Sequence, residues 1–414
     1  MPDKRTTRRV HLRDQPWRDA RVAALCGPFE MPSRAALERA VVTLTERYPA
    51  CRLAWGCDDG RRRWTIPSGP TAADGIVVDG GDVDVTSIGA TLDRIDGDPS
   101  LRQPLALIRF DDYLGLRMSH AIGDGRTFNE IFAAVLHTAI TGEPYPWAIG
   151  PSHRFPLGSA ILRTFGRHPG LVREALADRP TRGDADPVAP VAWAPARRTL
   201  AAVIPAEDRD ELIGAARRET PNASWLGVVI SRLLRALNAS GVCVAPDVSV
   251  VVDLRRYLSN PLLDGNFVAG VPLSIDHRYG PGDVTRTLKA TVTSGRPLAT
   301  QAMATRSIRS GRAEPRVVDS AAPVRVTFSA MGRPPQIDAL PFVAGRPAIY
   351  AGGVEPDGPC GLTFLVSETS RTTVVSASFH ENVLPSDTVR QALSALAGAG
   401  SGHFSDQAVT SWCG

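Results

Sequence analysis

The sequence predicts an α/β protein built from two lobes with a cleft between them. Its 414 residues exceed what one hydrophobic core usually serves, so two domains or one bilobed body are expected. Amphipathic helices alternate with strand pairs, and a stretch rich in proline interrupts this pattern at 142–195. We therefore place an N-terminal lobe at residues 1–150, a crossover at 151–195 and a C-terminal lobe at 196–414.

The N-terminal lobe begins with a helix over Ser33–Tyr48, which Ser33 caps and Pro49 ends. The segments Cys51–Trp55 and Arg63–Ile66 flank an Asp-Asp-Gly turn and predict a hairpin. The later elements of the lobe are a strand pair and an amphipathic helix, at Leu105–Phe110, Tyr113–Ser119 and Phe128–Ala139.

The C-terminal lobe shows a similar mixture of helical and strand patterns. Helices are predicted at Ala206–Glu219, Ser224–Asn238 and Ser386–Ala397, and strands at Val248–Asp253, Val324–Phe328, Leu362–Ser367 and Thr373–Phe379.

Composition excludes several function classes. The net charge of +4 comes almost wholly from arginines dispersed among acidic residues, which does not indicate nucleic-acid binding but is compatible with an acidic carrier protein or a phosphorylated cofactor. No apolar run approaches the roughly 18 residues of a membrane span. Since the arginine-rich start lacks a secretory pattern, we expect a cytoplasmic protein with reduced, mainly buried cysteines.

The histidines and cysteines show no metal-ligand spacing, so we expect no metal site. The sequence also lacks GxGxxG, GxxxxGK[ST] and GxSxG, which removes the simplest arguments for a nucleotide-binding enzyme or a serine hydrolase.

The sharpest chemical feature is His120-Ala-Ile-Gly-Asp124-Gly125, placed between a strand and a helix. A neutral imidazole can remove the proton of an attacking hydroxyl or amine, and histidine titrates near neutral pH. Asp124 can fix the loop by pairing with an arginine, while Gly125 permits close backbone approach and a positive φ. The alternative is a histidine that is merely satisfied by local hydrogen bonds in a turn.

In these residues the chain resembles the chloramphenicol-acetyltransferase-like superfamily, which includes nonribosomal-peptide condensation domains and shares the motif HxxxDG. The resemblance extends along the chain in order. It covers Glu-Arg-Tyr-Pro-Ala-Cys-Arg-Leu at 46–53, the motif itself, Val-Val-Asp-Leu-Arg-Arg at 251–256 and Gly-Asn-Phe at 265–267.

The resemblance implies two similar αβ-sandwich lobes, arranged as a V-shaped pseudo-dimer with a tunnel between them. His120 is then the catalytic base at the tunnel's centre, and Asp124 is a structural carboxylate paired with Arg255 or Arg256. The donor would be an acyl thioester of CoA or phosphopantetheine, with no tightly bound cofactor. The partners would be a small-molecule acceptor and an acyl or peptidyl carrier protein.

Two departures from the family's patterns narrow the expectation. Ser119 stands where condensation domains have a first histidine, which is less typical of peptide-bond formation, and the Asp-Phe-Gly-Trp motif of the plant branch is absent. Ser119, Ser329 in Phe-Ser-Ala-Met-Gly and Asn266 are candidate substrate contacts, although Asn266 also fits a simple turn residue. A strand-end ion pair between Asp253 and Arg255 is an equal alternative to a role in the active-site loop.

These residues favour an acyltransferase that acts on a hydroxyl or amine by general-base catalysis. Two alternatives stay open. One is an amide-forming or cyclising enzyme that acts on carrier-bound intermediates, and the other is a noncatalytic binding protein with the same fold. Acyl chain and acceptor depend on the shape of the tunnel, which motif chemistry does not define.

Overall fold

The computed structural model describes residues 6–396, except for 12, 19, 58–62, 67–74, 85–86, 102, 149–154, 178–188, 308–316 and 320. The strands are β1 (Thr6–Arg9), β2 (Arg21–Gly27), β3 (Gly56–Cys57), β4 (Arg63–Ile66), β5 (Val77–Gly81), β6 (Leu105–Phe110), β7 (Leu114–Ser119), β8 (Pro190–Ala192), β9 (Arg197–Pro205), β10 (Asp247–Asp253), β11 (Val268–Ser274), β12 (Val317–Asp319), β13 (Arg325–Gly332), β14 (Ile349–Val354), β15 (Gly361–Glu368) and β16 (Thr372–His380).

The helices are α1 (Arg34–Arg47), α2 (Ile88–Gly97), α3 (Gly125–Thr141), α4 (Pro156–Phe165), α5 (Leu171–Ala177), α6 (Ala206–Glu219), α7 (Trp225–Ala239), α8 (Pro281–Thr293), α9 (Arg296–Ser307), α10 (Pro335–Asp338) and α11 (Ser386–Ser394). Short 3-10 turns lie at Gln15–Trp17, Arg52–Ala54 and Leu254–Tyr257.

Two larger sheets organise the molecule and confirm the predicted α/β class. One has the order β14-β2-β7-β6-β5, and the other has the order β11-β10-β13-β15-β16-β9. Apolar side chains of α1 and α3 pack on one face of the five-stranded sheet, and those of α2 pack on its other face. Helices α7 and α11 contribute to the core on the six-stranded sheet.

Local sequence explains why the predicted elements form where they do. Ser33 Oγ accepts a hydrogen bond from the Ala36 N–H and so caps α1, and Ser224 caps α7 in the same way. The buried positions of α1 recur at helical spacing, at Leu37, Val41 and Leu44. The predicted helix therefore buries the face that its apolar pattern marks.

Two local predictions were wrong. The segment Arg52–Ala54 forms a 3-10 turn, and the hairpin strand opposite β4 is only Gly56–Cys57. The predicted turn at Asp58–Gly60 lies outside the described residues. The 3-10 turn has a functional consequence, because it directs the Arg52 side chain inward, where it is 7% exposed.

The sheets do not follow the predicted lobe boundaries throughout. Strand β14, from the region assigned to the C-terminal lobe, pairs antiparallel with β2 from Ile349↔Gly27 to Val354↔Val22. Ile337, Ala348 and Tyr350 are buried in the core formed by α1 and α3. The five-stranded sheet is therefore completed by a strand, β14, that lies more than 300 positions after its partner β2 in the sequence.

Candidate active site

The HxxxDG motif at 120–125 lies in a loop that joins β7 to α3, as the sequence predicts. The His120 N–H donates to the Ala20 carbonyl at 2.9 Å, which extends the β2–β7 pairing by one residue. The Thr127 N–H then bonds the Asp124 carbonyl at 2.9 Å and starts α3. Strand pairing therefore fixes one end of the loop and a helix fixes the other.

Asp124 forms a buried ion pair with Arg255, whereas Arg256 is exposed. Arg255 Nη1 donates to Asp124 Oδ2 at 2.8 Å, and Nη2 donates to Oδ1 at 3.3 Å. The Phe267 N–H adds a bond to Oδ2 at 3.0 Å. Burial by itself would raise the pKa of Asp124, but the Arg255 charge and these hydrogen bonds hold that pKa below its usual value.

Arg255 also binds the segment that follows the 3-10 turn at 254–257. Its Nε donates to the Leu263 carbonyl at 3.0 Å, and its Nη2 donates to the Gly265 carbonyl at 2.6 Å. Nη1 lies 3.1 Å from Asp253 Oδ1 as well, so the strand-end ion pair and the contact with the motif loop are both present. The guanidinium thus joins the motif loop to residues 263–267.

His120 is half-buried, and its imidazole is held by Asn266. His120 Nδ1 lies 3.1 Å from Asn266 Oδ1. The amide nitrogen of Asn266 faces two acceptors, the His120 carbonyl at 2.8 Å and Asp14 Oδ1 at 3.1 Å. With the amide fixed in this way, Oδ1 must accept, so Nδ1 carries the proton and Nε2 carries the lone pair.

The electrostatic setting keeps this imidazole neutral. Burial lowers the pKa of His120. It outweighs a backbone hydrogen bond, the hydrogen bond that the ring donates to Asn266 and the charges of Asp124 and Asp14, all of which act to raise that pKa. A neutral ring with a free lone pair at neutral pH can accept a proton.

Three residues that sequence reasoning did not assign complete this site: Asp14, Trp17 and Arg52. Arg52 Nη1 donates to the Ile122 carbonyl at 2.6 Å and lies 3.5 Å from Asp14 Oδ2. The Trp17 indole stacks on the His120 ring with centroids 4.3 Å apart. Arg52 lies in the Pro-Ala-Cys-Arg-Leu stretch that resembles the family, which was the available signal; Asp14 and Trp17 had none.

Gly125 has a different role from the one predicted. It is the first residue of α3 and is not among the glycines with positive φ, so that expectation was wrong. Close approach does occur, because a Cβ at Gly125 would lie 2.4 Å from Met331 Cε at the end of β13. A side chain at Gly125 would therefore have to displace the end of the Met331 side chain, so glycine is favoured here by space and not by backbone conformation.

The two serine candidates, Ser119 and Ser329, lie on strands β7 and β13. Ser119 ends β7, and its hydroxyl donates to the Arg18 carbonyl at 3.3 Å. Ser329 is half-buried on β13, two residues before Met331, which contacts the motif helix. Both roles stay predictions.

A small cleft open to solvent lies beside the start of α3. Arg126 and Thr127, the first residues after Gly125, line it together with Leu263 and Asp264, which precede Gly265. His120 is not among its lining residues. The cleft therefore opens where α3 meets the segment that Arg255 binds, and the imidazole does not line it.

Among the described residues, no three histidine, cysteine, aspartate or glutamate side chains come close enough to hold a metal ion. In the same part of the chain, no helix is both long and apolar enough to cross a membrane. The described cysteines are free thiols, and Cys413 lies outside the described residues.

Comparison with solved structures identifies the fold. Polyketide synthase associated protein 5 from Mycobacterium tuberculosis superposes with a TM-score of 0.59 at 16% identity, over 94% of this chain and 97% of that one. The first condensation domain of the CDA synthetase gives 0.58 at 17% identity, over 92% of each chain. The EpoB cyclization-docking bidomain from Sorangium cellulosum gives 0.59 at 14% identity, over 94% of this chain and 84% of that one.

The chain has the condensation-domain fold. Comparisons with protein-family models and with curated protein sequences gave no match. In this condensation-domain fold, the motifs quoted from the sequence come together in space, since hydrogen bonds join His120 to Asn266 and Asp124 to Arg255.

Proposed function

We propose that this protein is an acyltransferase that moves an acyl group from a thioester to a hydroxyl or amine, with His120 as general base. The observation that carries the proposal is the hydrogen-bond arrangement around Asn266, which leaves the Nε2 lone pair of a neutral imidazole as the proton acceptor. The likeness to polyketide synthase associated protein 5 and to condensation domains supports the same class of reaction by analogy.

In the proposed reaction, Nε2 removes the proton of the acceptor as its oxygen or nitrogen attacks the thioester carbonyl. A tetrahedral oxyanion forms and then collapses with cleavage of the carbon–sulfur bond. The imidazolium returns its proton to the thiolate, so the products are an ester or amide and a free thiol. Catalysis needs both substrates bound in reacting geometry and needs no acyl-enzyme.

The test is an acyl-transfer assay of the purified protein with a panel of acyl-CoA donors and of alcohol and amine acceptors. Thiol release and the mass of the product are measured. His120→Ala should lower turnover by about 100-fold to 10,000-fold, because general-base participation contributes an effect of that size. His168→Ala is the matched control, since His168 is exposed and outside the site. Wild-type turnover by His120→Ala would remove the proposal.

The alternative is amide formation or cyclisation on a carrier-bound intermediate, which the likeness to a cyclization domain favours. The same assay distinguishes the two when each acyl group is also offered on a phosphopantetheinylated carrier protein. Turnover with acyl-CoA favours the acyltransferase. Turnover with the carrier-bound donor alone favours the alternative.

A further inference from the structure

A segment that precedes β2 lies directly against the proposed base. Trp17, in the 3-10 turn Gln15–Trp17, covers one face of His120, with the two ring planes inclined by only 21°. The indole is half-buried and packs on the core beneath α1 and α3. Three residues later, the Ala20 carbonyl accepts from the His120 N–H. The same stretch of chain therefore holds both the backbone and the ring of His120.

Asp14, in the same segment, binds Asn266, which is the hydrogen-bond partner of the imidazole. It is fully buried, and its Oδ1 accepts hydrogen bonds from both the backbone N–H and the side-chain amide of Asn266, each at 3.1 Å. A carboxylate accepts and does not donate, so it forces the amide nitrogen of Asn266 toward itself. Oδ1 of Asn266 is then left to face His120 Nδ1.

We propose that Trp17 and Asp14 are positioning residues for the reaction described above. Trp17 fixes the plane of the His120 ring and excludes water from one of its faces, and Asp14 fixes the tautomer through Asn266. The inference rests on the proposed function, because positioning matters only if Nε2 accepts a proton. Without the indole, the ring could rotate about its broad terminal torsion and lose its reacting geometry.

The charges around the ring decide the direction of its response. Asp124 and Asp14 face His120 and act to raise its pKa, but Arg255 and Arg52 partly neutralise these two carboxylates. Burial acts in the opposite direction and is the larger effect. Opening one face of the ring to water should therefore move the pKa of His120 upward, toward its ordinary value near 6.5.

The experiment compares Trp17→Ala with Trp17→Phe, in which a smaller aromatic ring preserves the stack. Trp17→Ala should lower kcat by about 10-fold to 100-fold with little change in KM, since misplacing a reacting group costs up to that much. It should also shift the acid limb of the kcat/KM profile to higher pH. Trp17→Phe should restore both toward wild type.

A second readout does not depend on turnover. In protein labelled with nitrogen-15 at histidine, the ring nitrogen shifts report both the tautomer and the titration of His120, which is assigned by its loss in His120→Gln. Trp17→Ala should raise the midpoint of this titration. Asp14→Asn should mix the two tautomers, because its amide can donate as well as accept.

The matched control is Trp193→Ala, which removes an indole from a different histidine. Trp193 contacts the His380 ring at 5.0 Å, and His380 is buried and remote in sequence from the motif. This variant should leave the His120 signals and kcat unchanged.

Unaltered kcat together with an unaltered His120 titration in Trp17→Ala would overturn the role of Trp17. A single wild-type tautomer in Asp14→Asn would overturn the role of Asp14. Failure of the proposed function is a separate outcome: if His120→Ala turns over like wild type, the enzymatic proposal fails, while the nitrogen shifts still report whether Trp17 and Asp14 hold the ring.

Discussion

Asp124 stabilises the site by neutralising the buried charge of Arg255. Arg255 is 2% exposed, so removing Asp124 leaves a buried cation whose remaining ion-pair partner, Asp253, is more exposed. Breaking a buried pair by removing one member is strongly destabilising, because the remaining charge stays desolvated. The Asp124–Arg255 pair is therefore expected to control stability as well as activity.

We predict that Asp124→Asn lowers the free energy of unfolding at pH 7 by about 3 kcal/mol. Because the folded-state pKa of Asp124 lies below its usual value, this stabilisation is complete above the unfolded pKa of about 4. It is lost as the pH falls through the folded-state pKa. Urea unfolding of both proteins at pH 7, 5, 4 and 3 should show the two free energies converging at the acid end.

The control for this prediction is Asp387→Asn on α11, where an exposed carboxylate pairs with Arg390 at the surface. Surface pairs contribute up to about 1 kcal/mol, so this variant should remain close to wild type. Equal stability of Asp124→Asn and wild type at pH 7 would contradict a structural ion pair.

Individual residues were predictable from the sequence where chemistry and local order agreed. The motif predicted the roles of His120 and Asp124. The Asp-Leu-Arg-Arg stretch limited the arginine partner of Asp124 to Arg255 or Arg256. Asp14 was not predictable, because its partner Asn266 lies 252 positions away and no local pattern marks a buried carboxylate. Trp17 was missed for the same reason, since stacking on His120 depends on the approach of separate segments.

At the scale of elements, the segment 263–267 depends on one glycine. Gly265 has a φ of +81°, and a Cβ there would lie 2.6 Å from Arg52 Nη2. Its carbonyl accepts from Arg255, and its neighbour Asn266 binds His120. Backbone conformation and space therefore both exclude a side chain at the point where this segment meets the motif loop.

We predict that Gly265→Ala lowers stability by more than the roughly 1–2 kcal/mol that a left-handed residue costs, and that it also lowers turnover. The added methyl group must displace Arg52, which holds the Ile122 carbonyl of the motif loop. Thermal unfolding and steady-state kinetics would measure the two effects.

Gly241→Ala is the matched control for this prediction. Gly241 follows α7 with a φ of +76° and has no atom within 4 Å of its would-be Cβ. It should therefore show the backbone cost alone and keep wild-type turnover. If the two variants lost the same stability and neither lost activity, the clash with Arg52 would have no consequence.

Elements with strong local patterns were predicted nearly to the residue. The strand β6 and the helix α6 have the predicted bounds, because apolar periodicity and turn residues define them locally. Strand β14 was not predicted, since its Ile349–Val354 sequence contains two glycines and its partner β2 lies over 300 positions away. Pairing between distant strands is determined by tertiary packing, which no local pattern encodes.

At the scale of the whole molecule, β14 links the two larger sheets. It hydrogen-bonds to β2 in the five-stranded sheet, while a Cβ at Gly352 would lie 2.6 Å from Leu365 on β15 of the six-stranded sheet. The Ser376 hydroxyl on β16 donates to the Gly352 carbonyl. Helix α2 adds a second link, because its apolar side chains pack between the two sheets with Ala201 and Val374.

This arrangement predicts that the two sheets unfold together. Gly352→Ala should place a methyl group against Leu365. It should lower the free energy of hydrogen-exchange protection of backbone amides by the same amount in both sheets, because overpacking at a shared contact weakens one cooperative unit. The measurement is native-state hydrogen exchange in peptides that cover β7 and β15. Gly270→Ala on β11, where the nearest atom to the added Cβ is 3.8 Å away, should leave both unchanged. Loss of protection confined to β15 would instead mean that the two sheets open independently.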